Sequence, residues 1–196
     1  MKKQIWLFLL VGVLGWFWST PASALNINFV PGFQTVSPGD TFALDIVVSG
    51  LEAVTPNEIV SAYDLDVTYN SSLFTATGVT FGSLLGLSLQ NSSLATLGLV
   101  DLAEVSLESD AALGALQGDS VTLATLAFKA SGGQGTGNFN FVFNATNDVK
   151  GNGAAVLDLS PGTAAVQVGA TPEPGTLVLL ASGLVGLVLH QRRRMA

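Results

Sequence analysis

Apolar side chains follow two different periods along the chain. Near both ends they run on almost unbroken, from Ile5 to Trp18 and from Gly175 to Leu189, whereas from residue 25 to about residue 160 they alternate with polar ones. Alternation marks half-buried strands, because successive side chains leave a strand on opposite faces. Thr41 to Ser49 puts Phe42, Leu44, Ile46 and Val48 on one face. Ala62 to Tyr69 turns Tyr63, Leu65, Val67 and Tyr69 inward and Asp64, Asp66 and Thr68 outward. Further strands are expected over Val121 to Ala130, over Asn138 to Asn144 with Phe139, Phe141 and Phe143 on one face, and over Ala154 to Leu159. Ser37-Pro38-Gly39-Asp40 supplies proline and glycine where a type II turn takes them. Short strands broken by Gly, Pro, Asn, Asp and Ser predict an all-β sandwich that requires no long helix.

The period shifts between Phe74 and Leu116, a stretch rich in Leu, Ser and Ala where short runs suit strand or helix. Strands are expected near Thr75 to Phe81, Ser93 to Leu99 and Leu102 to Glu108. Ser131 to Gly137, with glycine at 132, 133, 135 and 137, is expected as a flexible loop. Pro161 to Thr171 is expected as a small-residue linker after a domain of residues 25–160.

The two unbroken runs carry different flanks. Lys2 and Lys3 precede the first, and Ala22-Ser23-Ala24 closes it, the small-x-small pattern that a signal peptidase reads. Residues 1–24 are therefore expected to be a signal-peptide helix cleaved after Ala24. The run is shorter than the ~20 residues of a membrane span, which argues against a retained anchor. The second run lies between Pro172-Glu173-Pro174 and His190-Gln191 followed by Arg192, Arg193 and Arg194. At ~1.5 Å per residue it falls short of a ~30 Å hydrocarbon core, a mismatch that snorkelling arginines and local thinning absorb. Clustered arginine stays on the cytoplasmic side, and the prolines keep the segment outside extended and open to an enzyme.

These three parts in this order resemble the PEP-CTERM sorting signal of Gram-negative bacteria, recognised by an exosortase. The resemblance covers residues 172–194, within a sorting signal expected over residues 172–196, and implies a C-terminal transmembrane helix that holds the chain briefly in the inner membrane. Processing at Pro172, Glu173 and Pro174 would then leave it at the cell surface or outside. A permanent tail anchor is the competing reading; a GPI signal would end in the apolar stretch and not in arginines.

With the ends set aside, residues 25–171 hold two lysines, Lys129 and Lys150, against thirteen acids, a net charge of −11. Such a surface repels phosphate backbones, so no nucleic-acid partner is expected. Catalytic parts are missing as well. The chain has no cysteine and no G-x-S-x-G, and its one histidine, His190, sits in the tail, leaving triad and zinc chemistry without their groups. Counting alone does not dispose of a paired-carboxylate glycosidase. The expectation is nevertheless a non-enzyme with no catalytic residue and no cofactor.

Val36-Ser37-Pro38-Gly39-Asp40-Thr41-Phe42, the run from Ala62 through Tyr69-Asn70-Ser71-Ser72-Leu73-Phe74, and Leu123 to Ala130 resemble a cohesin domain. Cohesins are the receptor modules of cellulosome scaffolds, with a jelly-roll sandwich related to carbohydrate-binding modules. Asn70-Ser71 stands where the family typically has Asp-Pro. The resemblance implies an exported, surface or extracellular-matrix protein that binds a dockerin-like protein, or associates with exopolysaccharide or biofilm matrix. Polysaccharide recognition by an outer face is the alternative. Trp6, Trp16 and Trp18 all lie in the leader, which deprives that alternative of its usual stacking platform.

Asp64 and Asp66, two apart on a strand, present both carboxylates on one outer face. Either they are a solvated face, or they belong to a binding surface or a calcium site. Asn147, Asp148 and Asn152 offer oxygen ligands between Asn144 and Gly153, where a simple turn competes with calcium binding. Asn70, Asn91 and Asn144 begin Asn-x-Ser/Thr triplets, which arise readily by chance in a chain this rich in Ser and Thr.

Overall fold

The computed structural model describes residues 25–53, 57–143, 148–169 and 179–184. More than half of them lie in strands: β1 (Leu25–Val30), β2 (Phe33–Val36), β3 (Thr41–Ser49), β4 (Ala62–Thr68), β5 (Phe74–Phe81), β6 (Ser88–Ser93), β7 (Leu99–Ser106), β8 (Ser120–Ala130), β9 (Gly135–Val142), β10 (Val149–Lys150), β11 (Leu159–Pro161) and β12 (Thr163–Val168). One short helix, α1 (Asp110–Leu116), stands between β7 and β8, started by Ser109, whose hydroxyl accepts the Ala112 N–H.

Two sheets face each other. The first runs β11-β1-β3-β8-β5, and the second β2-β12-β9-β4-β7-β6. β7 takes one edge of β4; β9 and β10 share the other, β9 along Asp66 to Thr68 and β10 along Ala62 and Tyr63. Each strand turns one set of side chains into the space between the sheets: Phe42, Leu44, Ile46 and Val48 from β3; Tyr63, Leu65 and Val67 from β4; Val121, Leu123, Leu126 and Phe128 from β8, all buried. A layered sandwich is how antiparallel sheets with one apolar face bury it.

One end of this core is aromatic. The Phe139 ring lies 4.9 Å from that of Phe128 and 5.2 Å from that of Phe74, with Phe29, Phe42 and Tyr69 just beyond. Gly137 is required beside it, since a Cβ there would overlap the Phe74 ring. The turn into β3 forms as expected: the Asp40 N–H donates to the Ser37 carbonyl, 3.1 Å, around Gly39 at φ +92°.

Several boundaries depart from the sequence expectation. The segment expected as a linker from Pro161 is strand as far as Val168, because Ala164, Val166 and Val168 alternate into the core and β12 lies between β2 and β9. Ala154 to Leu159 is not one strand: a tight turn at Asn152–Ala154 and a single bridge from Lys150 to Val156 precede β11. Ser93 to Leu99 is a turn region with Gly98 at φ +82°, the strand lying upstream in β6. The expected loop Ser131 to Gly137 is shortened, since β9 already begins at Gly135.

Candidate functional site

The outer face of the second sheet gathers the acidic residues singled out from the sequence. Burial of Tyr63, Leu65 and Val67 forces Asp64 and Asp66 outward, and burial of Val100, Leu102 and Glu104 does the same for Asp101, Ala103 and Val105. Register then sets Asp66 directly opposite Asp101 and Asp64 opposite Ala103. Like charges facing each other across a ladder are destabilising. The carboxyl of Asp64 is pushed above the usual aspartate range by partial burial, then by Asp101, Asp66 and Asp148. Asp148 is close because its carbonyl accepts the Asp64 N–H, 2.9 Å. Lys150 answers one of these charges, its Nζ lying 2.9 Å from Asp148 Oδ2. Lys129, the other lysine of residues 25–171, is on β8 of the opposite sheet.

Beside the aspartates the same face becomes aliphatic. Leu89 of β6 pairs directly with Val105 of β7, and they are 65% and 49% exposed. The Leu107 N–H donates to the Leu87 carbonyl, 2.7 Å, extending the ladder, and Leu87 and Leu107 are exposed too. These four exposed aliphatics, and Asp101 opposite Asp66, escaped the sequence reading. The signal available was the Leu-rich period shift between residues 84 and 107, which does not say which leucines face out. A cleft of about 220 Å³ lined by Ala62, Tyr63, Asp64, Ala103, Val105, Asp148 and Lys150 joins the two parts. It is smaller than the ~300 Å³ at which small-molecule pockets begin, so the face suits a broad, shallow contact.

Glu104 lies beneath this face, 1% exposed and pointing inward from β7. Its Oε1 accepts the Ser88 hydroxyl at 2.6 Å and the Gln90 amide at 2.8 Å. The Tyr63 hydroxyl lies 2.8 Å from Glu104 Oε2 and 2.9 Å from the Leu123 carbonyl across the sandwich. One carboxyl thus links β4, β6 and β7, and through Tyr63 reaches β8. Burial, then the hydrogen bond and charge of Glu104, push the Tyr63 phenol far above its usual range. Buried polar groups are tolerated where every partner is supplied.

The other sheet offers a different exterior. Its centre holds Asp45, whose Oδ1 accepts the Thr125 hydroxyl at 2.6 Å, among Thr41, Ala43, Thr122 and Lys129.

Of the remaining expected positions, Ala22, Ala24, Pro172, Glu173, Pro174, Arg192, Arg193 and Arg194 lie outside the described residues, as do Asn144 and Asn147. Asn152 is occupied structurally: its N–H donates to Glu58 Oε1 and its side-chain amide to the Asn57 carbonyl. Among the described residues, no group of three or more His, Cys, Asp or Glu is placed to hold a metal ion. Residues 179–184 are helical, and among the described residues no helix is long and apolar enough to cross a membrane.

Comparison with known proteins assigns both parts of the chain. A family model for the cohesin domain matches residues 27–156, and one for the PEP-CTERM protein-sorting motif matches residues 170–194. No curated protein matches. Among solved structures, the seventh ScaB type I cohesin of Pseudobacteroides cellulosolvens aligns with TM-score 0.60 at 13% identity, over 77% of this chain and 96% of its own. A type I cohesin–dockerin complex from Clostridium thermocellum aligns with TM-score 0.56 at 14% identity, over 74% and 99%. A non-cellulosomal cohesin of the archaeon Archaeoglobus fulgidus aligns with TM-score 0.58 at 10% identity, over 78% and 96%. At these identities the likeness is one of fold.

Proposed function

The chain belongs to the cohesin domain family, and from that premise we propose that the outer face of β9, β4, β7 and β6 docks a dockerin-like protein presenting cationic and apolar side chains. The protein is an exported one with a protein-binding cohesin module. The observation that carries the choice of face is the opposition of Asp66 and Asp101 with Asp64 beside them and, beyond the row of Asp64 and Ala103 on the same face, the exposed pair Leu89 and Val105. Aspartates facing one another cost stability in the free protein, and a basic partner relieves that cost. Exposed aliphatics supply the apolar centre that protein interfaces need. In the Clostridium thermocellum complex a cohesin is seen with its dockerin, which supports a partner of that kind.

Delivery follows from the ends of the chain. Signal peptidase cuts after Ala24, the C-terminal helix stops in the inner membrane with Arg192 to Arg194 inside, and an exosortase processes the chain at Pro172-Glu173-Pro174. The domain then works at the cell surface or in a polysaccharide or biofilm matrix of a Gram-negative cell, joining proteins without catalysing a reaction.

Docking is tested by titrating the immobilised full chain with dockerin-type modules of differing surface charge. Basic modules should bind, with affinity falling as salt rises. Asp66→Asn with Asp101→Asn, and separately Val105→Arg, should each weaken binding by tenfold or about 1.4 kcal/mol. Unchanged affinity in both, together with loss on Thr125→Arg, would move the site to the other sheet. Delivery is tested by mass spectrometry of the native C-terminus in cells with and without the sorting peptidase, where an intact arginine cluster in wild-type cells would mean permanent anchoring.

A further inference from the structure

Where a sheet ends, a strand leaves N–H and C=O groups unpaired, and folded proteins blunt such edges with short strands, proline, bulges or charge. Among the described residues the two sheets end on β11, β5, β2 and β6. β11 has three residues and finishes at Pro161; β2 has four and follows Pro31-Gly32; β5 is interrupted by a register shift between Ala76 and Gly78. β6 has none of these devices. Ser88-Leu89-Gln90-Asn91-Ser92-Ser93 pairs with β7 without a break, carries no charge and no proline, and is exposed from Leu89 to Ser92.

We propose that β6 pairs antiparallel with β6 of a second copy of this chain, about a two-fold axis perpendicular to the sheet, joining the two second sheets into one. Charge selects this occupant and this edge. Thirteen acids against two lysines over residues 25–171 make most faces of two copies repel, but β6 is a neutral strip. In an antiparallel pair facing residues share a face, so the axis passes through Gln90 or Asn91, and only Ser, Leu, Gln and Asn meet across it. With the axis at Gln90, Leu89 faces Asn91 of the other copy and lies diagonal to the other Leu89, about 7 Å away. Leu89 gains an apolar neighbour that the single chain does not give it. The axis also turns both outer faces the same way, so a dimer would present two aspartate-and-leucine surfaces side by side. This pairing is separate from the docking reading and does not depend on it.

Because the natural chain has no cysteine, single cysteines test the geometry directly. A residue on the axis faces its own copy with Cα atoms about 4.5–5.5 Å apart, within the range a disulfide spans. Gln90→Cys and Asn91→Cys are introduced separately into the full chain in detergent, with Thr77→Cys at the β5 bulge as control, and oxidised mildly. At least one β6 variant should cross-link to a dimer while the control does not. The cysteine-free chain should sediment as a dimer, and Asn91→Lys, which sets a charge at the junction, should return it to monomer with its circular dichroism spectrum unchanged and its unfolding temperature no longer dependent on protein concentration. Equal cross-linking of all three variants overturns the proposal, as does a dimer that persists in Asn91→Lys, or β6 cysteines that cross-link only to a different protein.

Discussion

The interior of this sandwich is closed in two ways. At the end where β3 begins and β8 finishes, aromatic rings from five strands and the residue after β4 meet around Phe139. At the opposite end, where β4 and β8 begin, the sheets are joined through Tyr63, held between Glu104 and the Leu123 carbonyl. Ring packing is less directional than hydrogen bonding and tolerates small shifts; hydrogen bonds to one buried carboxyl fix Ser88, Gln90 and Tyr63 at set positions. The aromatic end therefore holds the sheets together, while the polar end fixes where the edge strand β6 and its outward Leu89 stand. Stability and the placing of the proposed docking face are concentrated at different ends of one core.

That division can be broken by substitution, starting with the largest effect. Phe139→Ala removes the ring that the others share and should cost about 3–5 kcal/mol, read as a lower denaturant midpoint with the slope retained. Glu104→Ala leaves three polar partners facing a void and should cost about 3 kcal/mol. Glu104→Gln keeps an acceptor for Ser88 and should cost about 1 kcal/mol. If the polar end positions β6, hydrogen exchange in β6 and β7 should rise more in Glu104→Ala than in Phe139→Ala at matched overall stability; equal rises would erase the distinction. Gln117→Ala removes the amide that bridges the Val60 N–H and carbonyl at 2.7 Å each, and that reaches the Leu84 carbonyl. It should cost about 1–2 kcal/mol.

The smallest effect concerns the outer face. The pKa of Asp64 is raised in the folded state, so folding favours its protonated form. The resulting penalty is absent below the ordinary aspartate value of 3.8 and grows as pH rises through the raised folded value. Asp64→Asn should therefore stabilise the protein slightly at pH 7 and leave it unchanged near pH 3, checked by thermal unfolding at both values. A gain that persists in acid would mean the strain is not electrostatic.

Much of this architecture could be read from local pattern. Phe42 to Val48, Tyr63 to Val67 and Val121 to Phe128 alternate so regularly that strand and inward face follow from period two alone, and Pro38-Gly39 announced its turn. Asp64 and Asp66 could be set on an outer face for the same reason. Where the pattern was weak, boundaries slipped: Thr163 to Val168 alternates too, but with alanine at Ala164 its apolar face is small enough to pass for a linker.

By itself, then, the amino-acid order determined which side of each regular strand is apolar, because that depends only on neighbours two residues apart. It also determined the greasy ends with their flanking charges, which are local in the chain. Only the tertiary structure decided that Asp66 meets Asp101, that Leu89 meets Val105 in the open, and that Glu104 is enclosed, since each depends on the register between strands distant in sequence. A shift of one residue would turn every side chain of a strand to the other face, and that register is set by the packing of the whole core.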